Sequence, residues 1–476
     1  MQQKIIISEF YNIAAIVKDN KVQDLIFAQK CYQVNNIYIG LVNKIFPSIN
    51  AAFINIDHNY KSGFIHASDL HFISKKRYYN NLYKNSITDV LITNQKLVVQ
   101  ILKESSAHKG PRLTTNITLT GRYLVLIPFS KSISVSRTVE DSEERNYLKA
   151  LAVLIKPSTM GLLLKSSIIG VSEDAIIQEL TYLKKQWNFI QKIACTALAP
   201  KLIYSDNNLS YKVVRDFYNS NTSSIFVDTF SVLSSVKRHL SNWFCLPLSD
   251  SCVLSVYDDI DAVFENHGIT SVFHKALYNK VELPLGSYIF IDTVEALTII
   301  DVNSGGFNKS LTSKESILQI NIEAAKEIAY QLKIRNIAGL ILVDFIDMHS
   351  VNDQIQLLKH FQRCLESDSA SPQIVQLSEL GLVELTRRRS AKSLHEVFFK
   401  LLAVSTQGKK NNIKFSKMFQ SKSKSLGSSS SNFLSLDLEM FVSHSIIYNS
   451  HKYNTQTSKN IYFTFRSSLL SSSRIG

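Results

Sequence analysis

Two apolar runs in this chain each end on an aspartate: Ala296-Leu297-Thr298-Ile299-Ile300 leads into Asp301, and Leu340-Ile341-Leu342-Val343 leads into Asp344. Short runs of this kind read as buried strands of an α/β sheet. A carboxylate at such a strand end is costly to desolvate unless something pairs with it. Two of them side by side at the carboxyl edge of one sheet repel, and a shared hard cation removes the repulsion. Magnesium suits the position because it takes a few carboxylate oxygens and keeps several waters. Such an ion polarises a phosphodiester oxygen and supplies a hydroxide nucleophile. Asn303 lies two residues beyond Asp301, hence on the same side of an extended segment, where its amide can orient a scissile phosphate or a water on the metal. Gly305-Gly306 then permits close backbone approach. The same residues also suit strand-end carboxylates that cap turns or helices, and in isolation that is the commoner pattern. Asp347 fits it, as an outer neighbour of the site at most.

The chain has 476 residues, which predicts about two to four domains. Its formal charge of +14 is uneven: between Gln407 and Gly476 ten Lys/Arg face only Asp437 and Glu439. A basic excess suits a polyanionic partner through phosphate neutralisation, although Lys, Asn and Ile are also what AT-rich coding favours. The five cysteines (Cys31, Cys195, Cys245, Cys252, Cys364) form no C-x-x-C pair, which argues against a disulfide scaffold or a thiolate zinc site and for buried free thiols. No apolar run approaches the roughly 20 residues of a membrane helix. The start, Met1-Gln2-Gln3-Lys4-Ile5-Ile6-Ile7-Ser8, enters a strand pattern at once, without the marks of a signal or transit peptide, so the protein is expected to work where it is made.

Lys4 to Tyr32 reads as a few antiparallel strands with a turn at Asp19-Asn20. From Asn36 to Thr120 the pattern stays all-β, with runs at 37–42, 51–56, 63–66 and 96–102 and a basic, Tyr- and Asn-rich loop at 75–85; such punctuation predicts a small barrel. Tyr123 to Pro128 reads as a buried strand, and Ser172 as the N-cap of a helix reaching Ile190 with Ile176, Leu180, Leu183, Trp187 and Ile190 inward. The segment 212–267 mixes short strands and helices. From Leu283 to Phe399 the pattern is α/β, with a long helix over about Ser313 to Leu332 and another near Asn352 to Glu366. Beyond Ala403 the Ser- and Lys-rich composition predicts no fixed structure. In the β segment, Phe53 and Phe64 lie on neighbouring runs, with Lys103 and Lys109 further on. Aromatics beside cations on a barrel face can stack single-stranded bases and neutralise phosphates; a core position for both rings fits the pattern equally.

Taken in order, several stretches resemble the bacterial ribonuclease E/G endoribonucleases over roughly Ser8 to Ser390. They are Ser48 to Ile54 (SINAAFI), Leu113 to Leu119 (LTTNITL), Asp292 to Gly305 (DTVEALTIIDVNSG), Asn321 to Ala325 (NIEAA) and Gly339 to Met348 (GLILVDFIDM). The resemblance implies a multidomain α/β chain: an RNase H-like scaffold from residues 1–35 and 210–276, and an inserted OB-fold RNA-binding barrel of the ribosomal-protein S-one type at 36–119. A 5′-sensor segment at 120–209, a DNase I-like catalytic subdomain at 279–400 and a basic tail at 404–476 complete it. It implies Asp301 and Asp344 as magnesium ligands, Asn303 as the third catalytic residue, and Phe53, Phe64, Lys103 and Lys109 as RNA contacts. Lys165-Ser166 occupy the positions of the family's Arg-Thr pair that senses a 5′-monophosphate, and Lys lacks the planar bidentate grip of Arg. The Cys-Pro-x-Cys zinc link of the ribonuclease E branch is missing, so no zinc is expected and a zinc-linked assembly is not. The small C-terminal dimerisation domain is not recognisable in Ser405 to Gly476, which leaves a homodimer or tetramer open.

The expectation is thus a magnesium-dependent endoribonuclease cutting single-stranded A/U-rich RNA, including mRNA and rRNA precursors, with a 5′-monophosphate preference. The rival is a non-catalytic RNA-binding scaffold of the same fold. The expected location is the stroma of a plastid such as a chloroplast, with a bacterial cytoplasm as the alternative.

Overall fold

The computed structural model describes residues 2–28, 33–57, 62–70, 86–105, 109–206, 208–219, 221–243, 252–257, 260–294, 297–305, 313–348, 350–379, 381–389 and 391–397. The 75–85 loop, Gly306 and the basic 404–476 tail lie outside the described residues.

The first three strands, Gln3–Ser8, Ile13–Lys18 and Lys21–Phe27, form the antiparallel meander expected of an alternating N-terminus. Asp19 and Asn20 both take positive φ (47° and 60°), the turn that matches strand twist in a two-residue hairpin. On its other edge Gln3–Ser8 pairs in parallel with Thr222–Val227, which pairs in parallel with Val253–Val256. One five-stranded sheet therefore joins segments about 200 residues apart, and the barrel is an insertion between them.

In the barrel, Ile37–Phe46 pairs with Ala51–Asn55, which pairs with Gly63–His66; Arg112–Thr114 and Lys96–Lys103 follow, and Lys96–Lys103 returns to Ile37–Phe46. The five strands thus close on themselves around Val42, Ala52, Ile54, Ile65, Val99, Ile101 and Leu113. Closure removes free edges and leaves alternate residues facing solvent. A small sheet of Ile133–Val135, Gly161–Leu164, Leu124–Ile127 and Leu119–Thr120 follows. Its neighbouring helix spans Glu173–Thr196 after the Ser172 cap and buries the five predicted positions, from Ile176 to Ile190. Among the described cysteines only Cys252 is buried; Cys195 is exposed and Cys364 half-buried, so the expectation of buried thiols holds at one position.

The last sheet runs Lys280–Glu282, Tyr288–Thr293, Leu297–Asn303, Gly339–Asp344, Leu382–Arg387, Gln373–Leu377. Only Leu297–Asn303 and Gly339–Asp344 run parallel, because the Ser313–Ile334 helix carries the chain back between them. That helix and Val351–Leu365 share a core with the inward residues Ile289, Ile291, Ile300, Val302, Ile341, Val343, Val383 and Leu385. The opposite face is open: Ile299 is 44% exposed and Leu340 40%. This corrects the expectation of strands buried on both faces. In a sheet that is mostly antiparallel, helices need cover one face only, and the apolar residues of the other face make the run look continuous. The chain is therefore a mixed α/β protein containing a closed barrel. No helix of the described residues is long and apolar enough to cross a membrane.

Two joints hold this sheet in place. The long helix meets the first sheet's edge strand where Lys333 pairs with Asp24 at 3.1 Å and Lys21 lies over the Tyr330 ring at 4.1 Å. Behind the Gly339–Asp344 strand, the buried Arg387 donates to both oxygens of Asp368, to Asn336 Oδ1 and to the Ile337 carbonyl. Removing one partner of a buried, fully bonded ion pair strands the other charge. Asp368→Ala should therefore lose about 3–5 kcal/mol of stability in urea denaturation, more than Lys333→Ala at the half-exposed joint.

Candidate active site

The parallel register sets Asp301 opposite Asp344, so the two carboxylates stand on adjacent strands of the open face. Alternation puts Asn303 on that face as well, where its Nδ2 donates to Asp301 Oδ2 at 2.7 Å. Both aspartates are exposed. Exposure makes the desolvation smaller than at a fully buried strand end, and the repulsion between the two carboxylates adds to it. Partial desolvation first, then the negative charges of Asp301 and Asp347, hold the Asp344 carboxyl above the usual carboxylate range. Among the described residues no Lys, Arg or His forms an ion pair with either carboxylate. Nor do three or more His, Cys, Asp or Glu gather anywhere in a cluster fit to hold a metal. Two carboxylates with no counter-charge among the described residues fit magnesium, which leaves most of its coordination to water.

Two backbone devices fix this geometry. Asn321 on the long helix is fully buried; its Nδ2 donates to the Ile346 carbonyl at 2.8 Å and its Oδ1 accepts from the Ile346 amide at 3.1 Å. It grips the chain midway between Asp344 and Asp347, a physical reason for the Asn in the Asn321-Ile322-Glu323 stretch. Gly305 sits at φ +58°, and a Cβ there would lie 2.1 Å from the Gly286 carbonyl oxygen. The close approach anticipated at Gly305-Gly306 is thus made at Gly305 by the protein's own turn.

On the barrel, cross-strand register sets Lys44 beside Phe53, Phe53 beside Phe64, Phe64 beside Arg112, and Arg112 beside Lys103. The predicted Phe53, Phe64 and Lys103 are thereby brought into one row with cations at its ends. Both rings are half-buried rather than core, and meet edge to face at 5.8 Å. Phe46 adds a third ring, 5.5 Å from Phe53. Lys109 is exposed on the connection into the Arg112–Thr114 strand, outside the paired row. Lys44 and Phe46 lie beyond the expected end of the first barrel strand at Val42, which in fact runs to Phe46; their i, i+2 spacing is the available signal. Arg112 joins the row only through register with Phe64 and Lys103, which sequence spacing does not report. Arg112 is held by Asp69 at 2.8–2.9 Å.

Lys165 and Ser166 lie at the end of the Gly161–Leu164 strand. Lys165 Nζ donates to the Gly121 carbonyl at 2.8 Å and stands 3.7 Å from Asp216, which Arg215 also binds. Burial lowers the Lys165 pKa, with Asp216 opposing. Ser166 opens a short 3₁₀ turn and is exposed. Among the described residues no hydrogen bond or ion pair joins either of them to Asp301 or Asp344.

Comparison with known proteins adds the lineage. A sequence model of the Ribonuclease E/G family matches residues 118–390. A "Ribonuclease E/G-like protein" of the red alga Pyropia yezoensis is 52% identical over 83% of this chain and 77% of its own length. A "Ribonuclease E" of Synechocystis is 46% identical over 84% of this chain and 58% of its own. The "Ribonuclease E" of Escherichia coli is 34% identical over 76% of this chain and 34% of its own.

Removing one of two repelling carboxylates relieves the folded state. Without divalent cation, Asp344→Asn should melt at a higher temperature than the wild type, whereas Gly305→Ala should melt lower, by at least the roughly 1–2 kcal/mol of a left-handed Ala. Differential scanning fluorimetry in chelator reads both.

Proposed function

The chain belongs to the ribonuclease E/G family, and we propose that it is an endoribonuclease that hydrolyses single-stranded, A/U-rich RNA with magnesium. The observation that carries this reading is the register pairing of Asp301 with Asp344 on an open sheet face. Those two residues would hold the ion, with waters completing its shell. Bound there, magnesium supplies charge that stabilises the phosphodiester transition state and activates the attacking water. Asn303 keeps Asp301 oriented through its amide N–H, and its carbonyl oxygen remains suited to accept from the attacking water. That water adds to phosphorus, the 3′-oxygen departs with a proton, and the downstream fragment keeps a 5′-phosphate.

The barrel row from Lys44 to Lys103 supports a single-strand platform, since rings tolerate any base while flanking cations meet phosphates. Lys109, exposed at its border, would add a further phosphate contact. The five-stranded mixed sheet at the N-terminus is read as RNase H-like, the last sheet with its two helices as DNase I-like, and 120–209 as the 5′-sensor segment. A 5′-monophosphate preference through Lys165 and Ser166 belongs to this proposal in weakened form, because a phosphate there competes with the Gly121 carbonyl and Asp216 for the Lys165 ammonium. The cellular role proposed is processing and decay of mRNA and rRNA precursors. Red algal and cyanobacterial relatives support a plastid stroma, with a bacterial cytoplasm as the alternative.

A labelled single-stranded A/U-rich RNA should be cut by the full chain with magnesium and left intact in chelator. Asp301→Asn should bind this RNA almost as well and yield no fragments, and Asn303→Ala should cut about 10–100-fold more slowly, as for a residue that orients a metal ligand. Wild-type cutting in chelator, or by Asp301→Asn, would overturn the metal assignment; no fragment under any condition would leave an RNA-binding scaffold.

A further inference from the structure

The open face that carries the aspartates also carries aromatics the reading above does not use. Phe290 is the register partner of Asp301 and Tyr288 that of Asn303, on the adjacent antiparallel strand. Directly opposite residues share a face, so the Phe290 side chain rises on the Asp301 face from a backbone one strand spacing, ~4.8 Å, away. Phe290 is 42% exposed although its chain neighbours Ile289 and Ile291 are fully packed. Lys280, on the outermost strand, pairs with Phe290 and places its Nζ 4.4 Å from the centre of the Tyr288 ring. Across this face the order is therefore cation, two rings, then the Asp301–Asn303 pair, then Asp344. Rings beside cations also line the barrel, on different strands.

Water tolerates a lone exposed ring, but this one stands beside Asp301, with Asp344 on the next strand, where polar substrate groups and not apolar protein would be held. A nucleotide fits both halves: its base has an apolar π-face and its phosphate needs the ion. The geometry points to a nucleobase shelf made by Phe290 and Tyr288, with Lys280 beside it, that stacks the base adjoining the scissile phosphate of a single-stranded RNA and so sets which bond reaches Asp301 and Asp344. This rests on the proposed metal-dependent cleavage. Because the barrel row and this shelf are separate, the first governs how strongly RNA is held and the second where it is cut.

The test is a single-cut oligoribonucleotide in which each base flanking the cut is replaced, one at a time, by an abasic ribose. The full-length wild type should lose about tenfold in kcat/KM when one adjoining base is missing, in keeping with the loss of one base–aromatic stack. Phe290→Ala should cut the intact RNA about tenfold more slowly, show no further loss on that abasic substrate, and cut at additional positions; Phe290→Trp should restore both rate and penalty. A merely structural ring would slow every substrate alike and keep the abasic penalty. Persistence of the penalty in Phe290→Ala, or its absence from the wild type, overturns the shelf. Binding reads the same contact without cleavage: 2-aminopurine at the adjoining position should be quenched by Asp301→Asn but not by the Asp301→Asn, Phe290→Ala double variant. Equal quenching by both overturns the shelf even if the metal reading stands, and cutting by Asp301→Asn overturns the metal reading while the quench still decides the shelf.

Discussion

The repulsion between Asp301 and Asp344 is the constraint around which the last third of the described chain is arranged. Parallel pairing puts them opposite one another at the carboxyl ends of two strands, and a parallel pair requires a long crossover, here the Ser313–Ile334 helix. The helix in turn supplies Asn321, which clamps the segment leaving Asp344, and Lys333, which ties the unit to the first sheet. Gly305 lets the chain leaving the other aspartate strand pass against the Gly286 turn. Asn321 and Gly305 thereby fix the segments that leave the two aspartate strands. What they leave is an anionic pair facing solvent, the place where the proposed divalent cation would sit.

Much of this was legible in the residues. Period-two alternation marked the barrel strands, and the 3.6-residue spacing from Ile176 to Ile190 marked a helix whose predicted face is buried. Both runs are strands; the second ends at Asp344 as expected, whereas the first continues past Asp301 to Asn303. What stayed hidden has a common cause. Sequence spacing reports which face a residue takes within its own strand, but not which residue stands opposite on another. The Lys44–Phe53–Phe64–Arg112–Lys103 row exists only in register, as does the approach of Phe290 to Asp301. Ile299 and Leu340 misled in the other direction, since apolar residues on an open face look the same in sequence as buried ones.

Lys165 shows the same limit at a single residue. Its substitution for an Arg read as a weaker phosphate grip, yet the side chain is already committed to the Gly121 carbonyl and lies near Asp216. Its neighbour Arg215 bridges Asp206 and Asp216 and is almost wholly buried. This network is paid for by mutual bonding of buried charges, and an incoming anion must compete with it. Among the described residues the aspartate pair has no such cationic partner, and that contrast is what distinguishes it from the Lys165 cluster.

The central claim is that Asp301 and Asp344 share one divalent cation. Manganese serves as a paramagnetic stand-in for magnesium, and its binding to the full chain can be followed by electron paramagnetic resonance without RNA or cleavage. One site is expected in the wild type, competed away by magnesium and lost from both Asp301→Asn and Asp344→Asn. Undiminished binding to the variant carrying both substitutions would contradict it.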